Sequence, residues 1–305
     1  MSTDIPVETA SDVARSLENN QPVVALETAV VTHGLPAPDN LSIARELAET
    51  VRQNGAVPAT VAFLNGVLHI GMNDEELRQL ARETEPVKLS SRDLAWAAAA
   101  GASGGTTVAG TLAACRLVGI RVFATGGIGG VHPGYPQHHD ASADLHALAD
   151  TQCCVVSAGA KAILDLHATL EHLDTLGVPV VGYRTDYFPR FYSEGTAALP
   201  VPRRLDSAEQ VARMLDYHWR ILQQSSGVLL CNPLPPEVAL PLDLVEKATH
   251  QAQDQAEREK ISGRDLTPFL LSRVAELTEG ASLRANLQLL RNNARLAAEL
   301  ACSLH

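Results

Sequence analysis

Short apolar runs alternate with stretches of helical periodicity along most of this chain, and that alternation restricts the fold more than any other feature. A run such as Val23-Val24-Ala25-Leu26 has no polar face. It must therefore be covered on both sides, which is the condition of a strand in a parallel sheet flanked by helices. Strands are predicted at 22–27, 57–63, 67–70, 86–89, 120–124, 153–157, 178–182 and 227–231. Helices are predicted at 39–54, stopped by Gly55, and at 73–84, capped by Asn73 or Asp74, then at 91–100, 107–118, 141–150, 161–176 and 206–223. From about 236 onward the chain reads as nearly all helix, expected to wrap the sheet. The expected architecture is one α/β domain over 1–305, layered αβα, with a largely parallel central sheet and a helical C-terminal third. The segment from Tyr183 to Pro202, rich in aromatics and proline, reads as an irregular excursion serving as a lid or a subunit contact.

Composition narrows the function classes. A core drawn from 46% hydrophobic residues with only 4% aromatics is built of Ala, Val and Leu, as in layered α/β enzymes. The formal net charge of -11 argues against a broad face for nucleic acid. An acidic chain binds phosphate only in a defined pocket. Asp4, Glu8 and Asp12 occupy the start where a leader would be cationic and then apolar, and no run approaches the ~20 apolar residues of a membrane span, so no membrane association is expected. Five cysteines at 115, 153, 154, 231 and 302 form no CxxC pair, which fits reduced thiols in a cytoplasmic protein.

Three segments bring charged groups to the ends of apolar runs. In Val155-Val156-Ser157-Ala158-Gly159-Ala160-Lys161, a strand passes through small residues toward a predicted helix start. A helix N-terminus and partial burial would both disfavour the protonated form of Lys161 and make it a nucleophile. Glu27 closes the run from Val23, and desolvation there would suit it to donate a proton. Lys88, in Val87-Lys88-Leu89, ends another short strand; it either faces the same sheet edge or points to water.

The glycine loop Gly126-Gly127-Ile128-Gly129-Gly130 follows a strand, yet His132 stands where a dinucleotide fingerprint needs glycine. Gly104-Gly105-Thr106-Thr107 lacks the ending of a P-loop. Either stretch offers amides and hydroxyls to a single phosphate, or serves as a tight turn. From His132 through His138, His139, Asp140 and Asp144 the loop is rich in metal-ligating types at a spacing that matches no zinc set. An oxygen-rich Mn²⁺ or Mg²⁺ site with Asp140 as first ligand is expected, while Asp144 reads equally as a helix-start carboxylate.

Taken in order, Ala25-Leu26-Glu27, Ser91-Arg92-Asp93-Leu94, Thr106-Thr107-Val108, Phe123-Ala124-Thr125-Gly126-Gly127-Ile128-Gly129-Gly130-Val131-His132, Asp140-Ala141-Ser142-Ala143-Asp144-Leu145, Ala158-Gly159-Ala160-Lys161 and Thr267-Pro268-Phe269-Leu270-Leu271 closely resemble the pseudouridine-5′-phosphate glycosidase, or indigoidine synthase A, family. The resemblance spans nearly the whole chain. It implies a homotrimer that needs a divalent metal, usually Mn²⁺, and that cleaves pseudouridine 5′-phosphate to uracil and ribose 5-phosphate. Position by position, it implies Lys161 as nucleophile, Glu27 as proton donor, Asp140 as metal ligand, and Lys88, Val108, Ser142, Ala143 and Asp144 around the substrate. Thr107, Thr125, His132 and Asn286 enter as supporting contacts, and the amides of Thr106, Thr107, Gly126 and Gly127 as phosphate donors beside Lys88. Pro133, His138 and His139 depart from the family pattern. Two other readings remain open at this point: a metal-dependent hydrolase centred on the histidine loop, and a phosphosugar-binding protein without turnover.

Overall fold

The central strands are apolar along their whole length, and each lies between neighbours on both sides. In the computed structural model, which describes residues 5–35, 38–261 and 263–304, eleven strands join in one sheet. They are β1 (Val7–Thr9), β2 (Val23–Leu26), β3 (Val57–Leu64), β4 (Val67–Ile70), β5 (Val87–Leu89), β6 (Gly104–Thr106), β7 (Val122–Ala124), β8 (Cys154–Ser157), β9 (Val180–Tyr183), β10 (Arg203–Leu205) and β11 (Val228–Cys231). The main order is β1-β4-β3-β2-β7-β8-β11-β9-β10, with β6 added beside β3 and β5 beside β6. Every pairing is parallel except those of β3 with β4 and with β6. β2, β7, β8, β9 and β11 are buried at every position, as doubly covered parallel strands must be.

All eight expected strands are present, and three more lie where no apolar run marks them. β1 and β10 are exposed edge strands, and β6 is Gly-Gly-Thr. Gly104 and Gly105 are demanded by sheet packing: a Cβ on Gly104 would lie 2.1 Å from the Val87 carbonyl oxygen, and one on Gly105 2.4 Å from Thr32 Oγ1.

The register sets the site. Leu26 pairs with Ala124, and Ala124 with Val156, so Glu27 and Thr125, just past β2 and β7, lie level with Ser157, the last residue of β8, at the C-terminal edge. Ligands in open parallel sheets bind outside this edge. Over the sheet lies the last helix, Ala281–Ser303, packed on β7 and β8. With Leu242–Glu259 and Leu266–Leu277 it makes the helical final third.

Three expectations are corrected. The helix expected at 161–176 starts only at Leu166, capped by Asp165, whose carboxylate accepts from the Ala168 amide at 3.0 Å. Lys161 instead lies in a loop tied to the glycine loop, its amide donating to the Ile128 carbonyl at 3.1 Å. The Lys161 carbonyl accepts from the Leu164 amide at 3.1 Å, closing a turn before the helix begins. The Tyr183 to Pro202 excursion is a wall rather than a lid. Phe188, Phe191, Tyr192 and Leu199 are buried in the core, and Arg190 bridges Gly159. Helix 206–223 also ends early, at Asp216, passing into a wider turn over Tyr217–Ile221.

Candidate active site

Glu27, Lys88 and Lys161 line both lobes of one cleft at the C-terminal sheet edge. An inner lobe extends from them toward Ala29, Val30, Phe191, Pro268, Leu271 and Leu290. An outer lobe extends toward Ser90, Arg92, Thr107, His132, Asp140 and Ser142. Glu27 follows β2, Lys88 is the middle residue of β5, and the Ala158–Lys161 loop, which turns at Gly159 (φ +77°), brings in Lys161. Gly159 also admits the Pro189 carbonyl, which a Cβ there would meet at 2.6 Å.

Burial pushes the Glu27 carboxyl above the ordinary carboxylate range; Lys161, the Thr125 hydroxyl and Lys88 oppose that shift, and Asp144 adds to it. Thr125 Oγ1 donates to Glu27 Oε1. Lys88 is held below the usual lysine range, first by burial and then by the Lys161 charge, with Asp144, Glu27 and Asp265 opposing. A desolvated acid and two amines in one cleft are the composition of an acid-base and nucleophilic centre.

The other expected residues fall around this centre, with roles the geometry separates. Val108 and Ala143 line the outer lobe, and Thr107 caps the helix Val108–Val118 through the Gly110 amide at 3.3 Å. Ser142 caps the helix Ala143–Ala149. Asp144 is buried, and its two carboxylate oxygens accept from the Ala109 amide at 2.9 Å and the Gly129 amide at 2.8 Å. That carboxylate clamps the glycine loop to a helix start. Asn286 lines the inner lobe, while Thr125 lies beneath Glu27.

The phosphate donors expected from backbone are only partly free. The Thr106 amide donates to Thr28 Oγ1 at 3.1 Å and the Thr107 amide to the Leu89 carbonyl at 2.9 Å, so neither is available. A Cβ on Gly127 would lie 2.6 Å from the Phe191 ring, and one on Gly129 2.3 Å from Ser142 Oγ. These glycines permit close packing beside the cleft.

The histidine loop divides as well. His138 Nε2 lies 2.9 Å from the Pro133 carbonyl, and its Nδ1 accepts from the Asp140 amide at 3.3 Å, so both ring nitrogens serve the loop itself. His139 is exposed and sets its ring edge-on to Tyr135. Burial lowers the His132 pKa against the opposing Asp140 charge, and its Nδ1 is buried without a partner among the described residues. No three His, Cys, Asp or Glu side chains converge as a metal cage among the described residues. A donor set of one half-buried carboxylate, Asp140, fits a hard, largely hydrated ion of the Mn²⁺ or Mg²⁺ type and does not fit a closed zinc site.

Residues missed by sequence reasoning include His33, in the π-helical turn Val30–Gly34. It lines the inner lobe with Nδ1 2.7 Å from Thr32 Oγ1. Phe191 was also missed: it is buried with φ +63°, a rare conformation for an aromatic residue. Neither has a sequence signal beyond residue type.

A cleft at the carboxyl edge of a parallel sheet, holding a desolvated acid between two lysines, defines an α/β enzyme. The chain belongs to the family described as indigoidine synthase A like protein, which it matches over residues 12–303. It is 50% identical over 293 residues to the pseudouridine-5′-phosphate glycosidase of Solibacter usitatus, covering 96% of this chain and 97% of that one. The enzyme of the same name from Escherichia coli is 47% identical over 296 residues, covering 97% and 94%. Among solved structures, the prealnumycin C-glycosynthase AlnA in complex with ribulose 5-phosphate superposes with a TM-score of 0.90 at 37% identity, covering 99% of this chain and 97% of that one. An indigoidine synthase A-like protein from Thermotoga maritima gives 0.90 at 35% identity, covering 100% and 98%.

Proposed function

We propose that this protein cleaves the carbon-carbon glycosidic bond of pseudouridine 5′-phosphate reversibly, giving uracil and ribose 5-phosphate through an iminium on Lys161. The observation that carries this reading is the meeting of Glu27, Lys88 and Lys161 where the two lobes join. The names of the relatives and the C-glycosynthase neighbour support the same bond type.

The bond between C1′ and C5 of uracil leaves on carbon, which has no lone pair to protonate, so the two-carboxylate device of ordinary glycosidases is poorly suited. An amine resolves the difficulty. Neutral Lys161 attacks C1′ while Glu27 gives its proton to the ring oxygen, which opens the ribose and places nitrogen and uracil on one carbon. The proton that the nitrogen sheds on becoming a secondary amine is delivered to C5, and the nitrogen lone pair then expels uracil. Water hydrolyses the resulting iminium, releasing ribose 5-phosphate and free Lys161. Burial of Glu27 suits it to the first step because it keeps the proton to higher pH.

The lobes divide the substrate. The apolar inner lobe, with Asn286 as its amide, takes the pyrimidine, and the outer lobe takes the sugar phosphate with Lys88, Val108, Ser142 and Ala143. Asp140 would hold Mn²⁺, or Mg²⁺ in its place, whose charge would stabilise negative charge developing on substrate oxygens. Homotrimeric assembly and a cytoplasmic location belong to the same proposal; exposed Trp96, Leu117, Ile221 and Leu222 supply apolar surface for the former. No helix among the described residues is long and apolar enough to cross a membrane. The metal-dependent hydrolase reading loses support because the ring nitrogens of His138 are engaged within their own loop. Incubation with pseudouridine 5′-phosphate and Mn²⁺ tests the proposal: uracil and ribose 5-phosphate should appear in equal amounts, and release of inorganic phosphate alone would overturn it.

A further inference from the structure

The last helix carries a fully buried amide, Asn293, in a wall otherwise made of Leu289, Leu290, Ala294, Leu296 and Ala297. A primary amide among leucines is destabilising unless its polar atoms are paired. Here they are paired across three elements. Nδ2 donates to the Thr125 carbonyl at 2.8 Å and approaches the Gly126 carbonyl at 3.4 Å, while Oδ1 accepts from Asn232 Nδ2 at 3.0 Å. Asn232 follows β11, and its own amide donates to the Ser157 carbonyl at 2.8 Å. The side chain thus joins the ends of β7 and β11 to the helix that covers them.

Both ends of this connection reach the cleft. Thr125, whose carbonyl Asn293 holds, is the residue whose hydroxyl donates to Glu27. Asn286 lies seven residues before Asn293, two turns earlier on the same helix face, and lines the inner lobe. Its Oδ1 lies 3.5 Å from where a Gly126 Cβ would be, and Leu289 Cδ1 3.2 Å from the same point. Sliding or rotating the helix would therefore move Asn286 over the inner lobe and release the Thr125 carbonyl together.

We propose that Asn293 is a positioning residue: one buried amide fixes Thr125 against Glu27 and fixes Asn286 over the inner lobe in the same register. Leucine would fill the space as well and would hold neither. The assignment rests on the glycosidase reading above, because its effect is read through that reaction.

The test compares Asn293→Ala, the near-isosteric Asn293→Asp and Asn232→Ala, each assayed well below its own melting temperature. Asn293→Ala and Asn293→Asp should lower kcat by roughly 10-fold to 10²-fold, the scale of a small misplacement at a catalytic centre. The high-pH limb of the rate profile should also move upward, because a displaced Thr125 no longer stabilises the Glu27 carboxylate. Glu27 faces Lys161, Lys88 and Asp144, all retained in these variants. Asn293→Ala adds no charge, so its pH profile is the one that reads the Thr125 contact, whereas the new carboxylate of Asn293→Asp would itself raise the Glu27 pKa. Asn232→Ala leaves the Asn293 donor in place and should lower melting temperature with a much smaller change in kcat. Equal stability losses with unchanged kcat and pH profile would overturn the proposal, as would failure of both Asn293 variants to fold, which would assign the residue to stability alone. If the wild-type protein releases no uracil, the glycosidase reading fails instead, and the two failures are told apart in one experiment.

Discussion

The two lobes of the cleft differ in chemistry and in origin. The outer lobe is polar and comes largely from contiguous stretches, Lys88 to Asp93 and His132 to Asp144. The inner lobe is mostly apolar and is assembled from remote pieces: the π-helical turn after β2, Phe191 of the excursion, and helices beginning at Leu266 and Ala281. Charged substrate groups are recognised by a few short motifs, whereas an apolar base site needs enclosure from many directions. In the proposed reaction Glu27 and Lys161 act where the lobes join, so each lobe would supply binding and orientation while the junction would supply chemistry.

That division is tested first at the junction. Lys161→Ala should lower turnover by about 10⁴-fold or more while leaving melting temperature nearly unchanged, since it removes a nucleophile and little packing. Activity close to wild type would remove the junction as the chemical centre. Glu27→Gln keeps shape and most hydrogen-bonding capacity, so single-turnover rates should fall about 10²-fold to 10⁴-fold with substrate affinity nearly kept. Its stability has a defined sign. Because burial raises the folded-state pKa above the unfolded value of 4.5, the unfolded chain loses this proton first, and stability falls as pH rises from 4.5 through the folded value. Glu27→Gln should abolish that contribution and be no less stable than wild type at neutral pH. A destabilised Gln variant with normal chemistry would make Glu27 a structural partner of the lysines.

Lys88 sharpens the contrast between the lobes. Lys88→Met should raise KM for the phosphorylated substrate by about 10-fold or more and weaken the salt dependence of binding, with a smaller effect on free uracil. Burial lowers its folded-state pKa, so the wild-type fold gains stability as pH rises from that value to 10.5, and the Met variant should lack this gain. Equal losses of affinity for base and phosphate would blur the two lobes into one. The smallest effects are expected from His138→Ala and His139→Ala, which should weaken Mn²⁺ binding far less than Asp140→Ala does, measured by metal titration. The reverse order would return the metal to the histidines.

Legibility in the sequence follows the same division. Glu27 follows one apolar strand, Lys88 lies within another and Lys161 follows a third, so their convergence is readable from parallel pairing. The helix start expected beside Lys161 is not there. The helix begins at Leu166, and the loop instead bonds to the Ile128 carbonyl, a contact set by register between distant segments. The phosphate role of the Thr106 and Thr107 amides failed for the same cause: their acceptors, Thr28 and Leu89, come from other strands. Phe191 and His33 gave no warning, because a buried aromatic and a half-buried histidine are common everywhere in sequences. Asn293 looks like a surface amide among the Arg and Asn residues of a terminal helix, and only the packing of that helix on β7 makes it a centre of connection.

The central claim is covalent chemistry at Lys161, and trapping with borohydride tests it most directly. Reductant added during turnover of pseudouridine 5′-phosphate should leave a pentose-phosphate mass on the peptide carrying Lys161, in step with loss of activity. Label on Lys88 instead, or inactivation-free turnover with no adduct, would contradict the account.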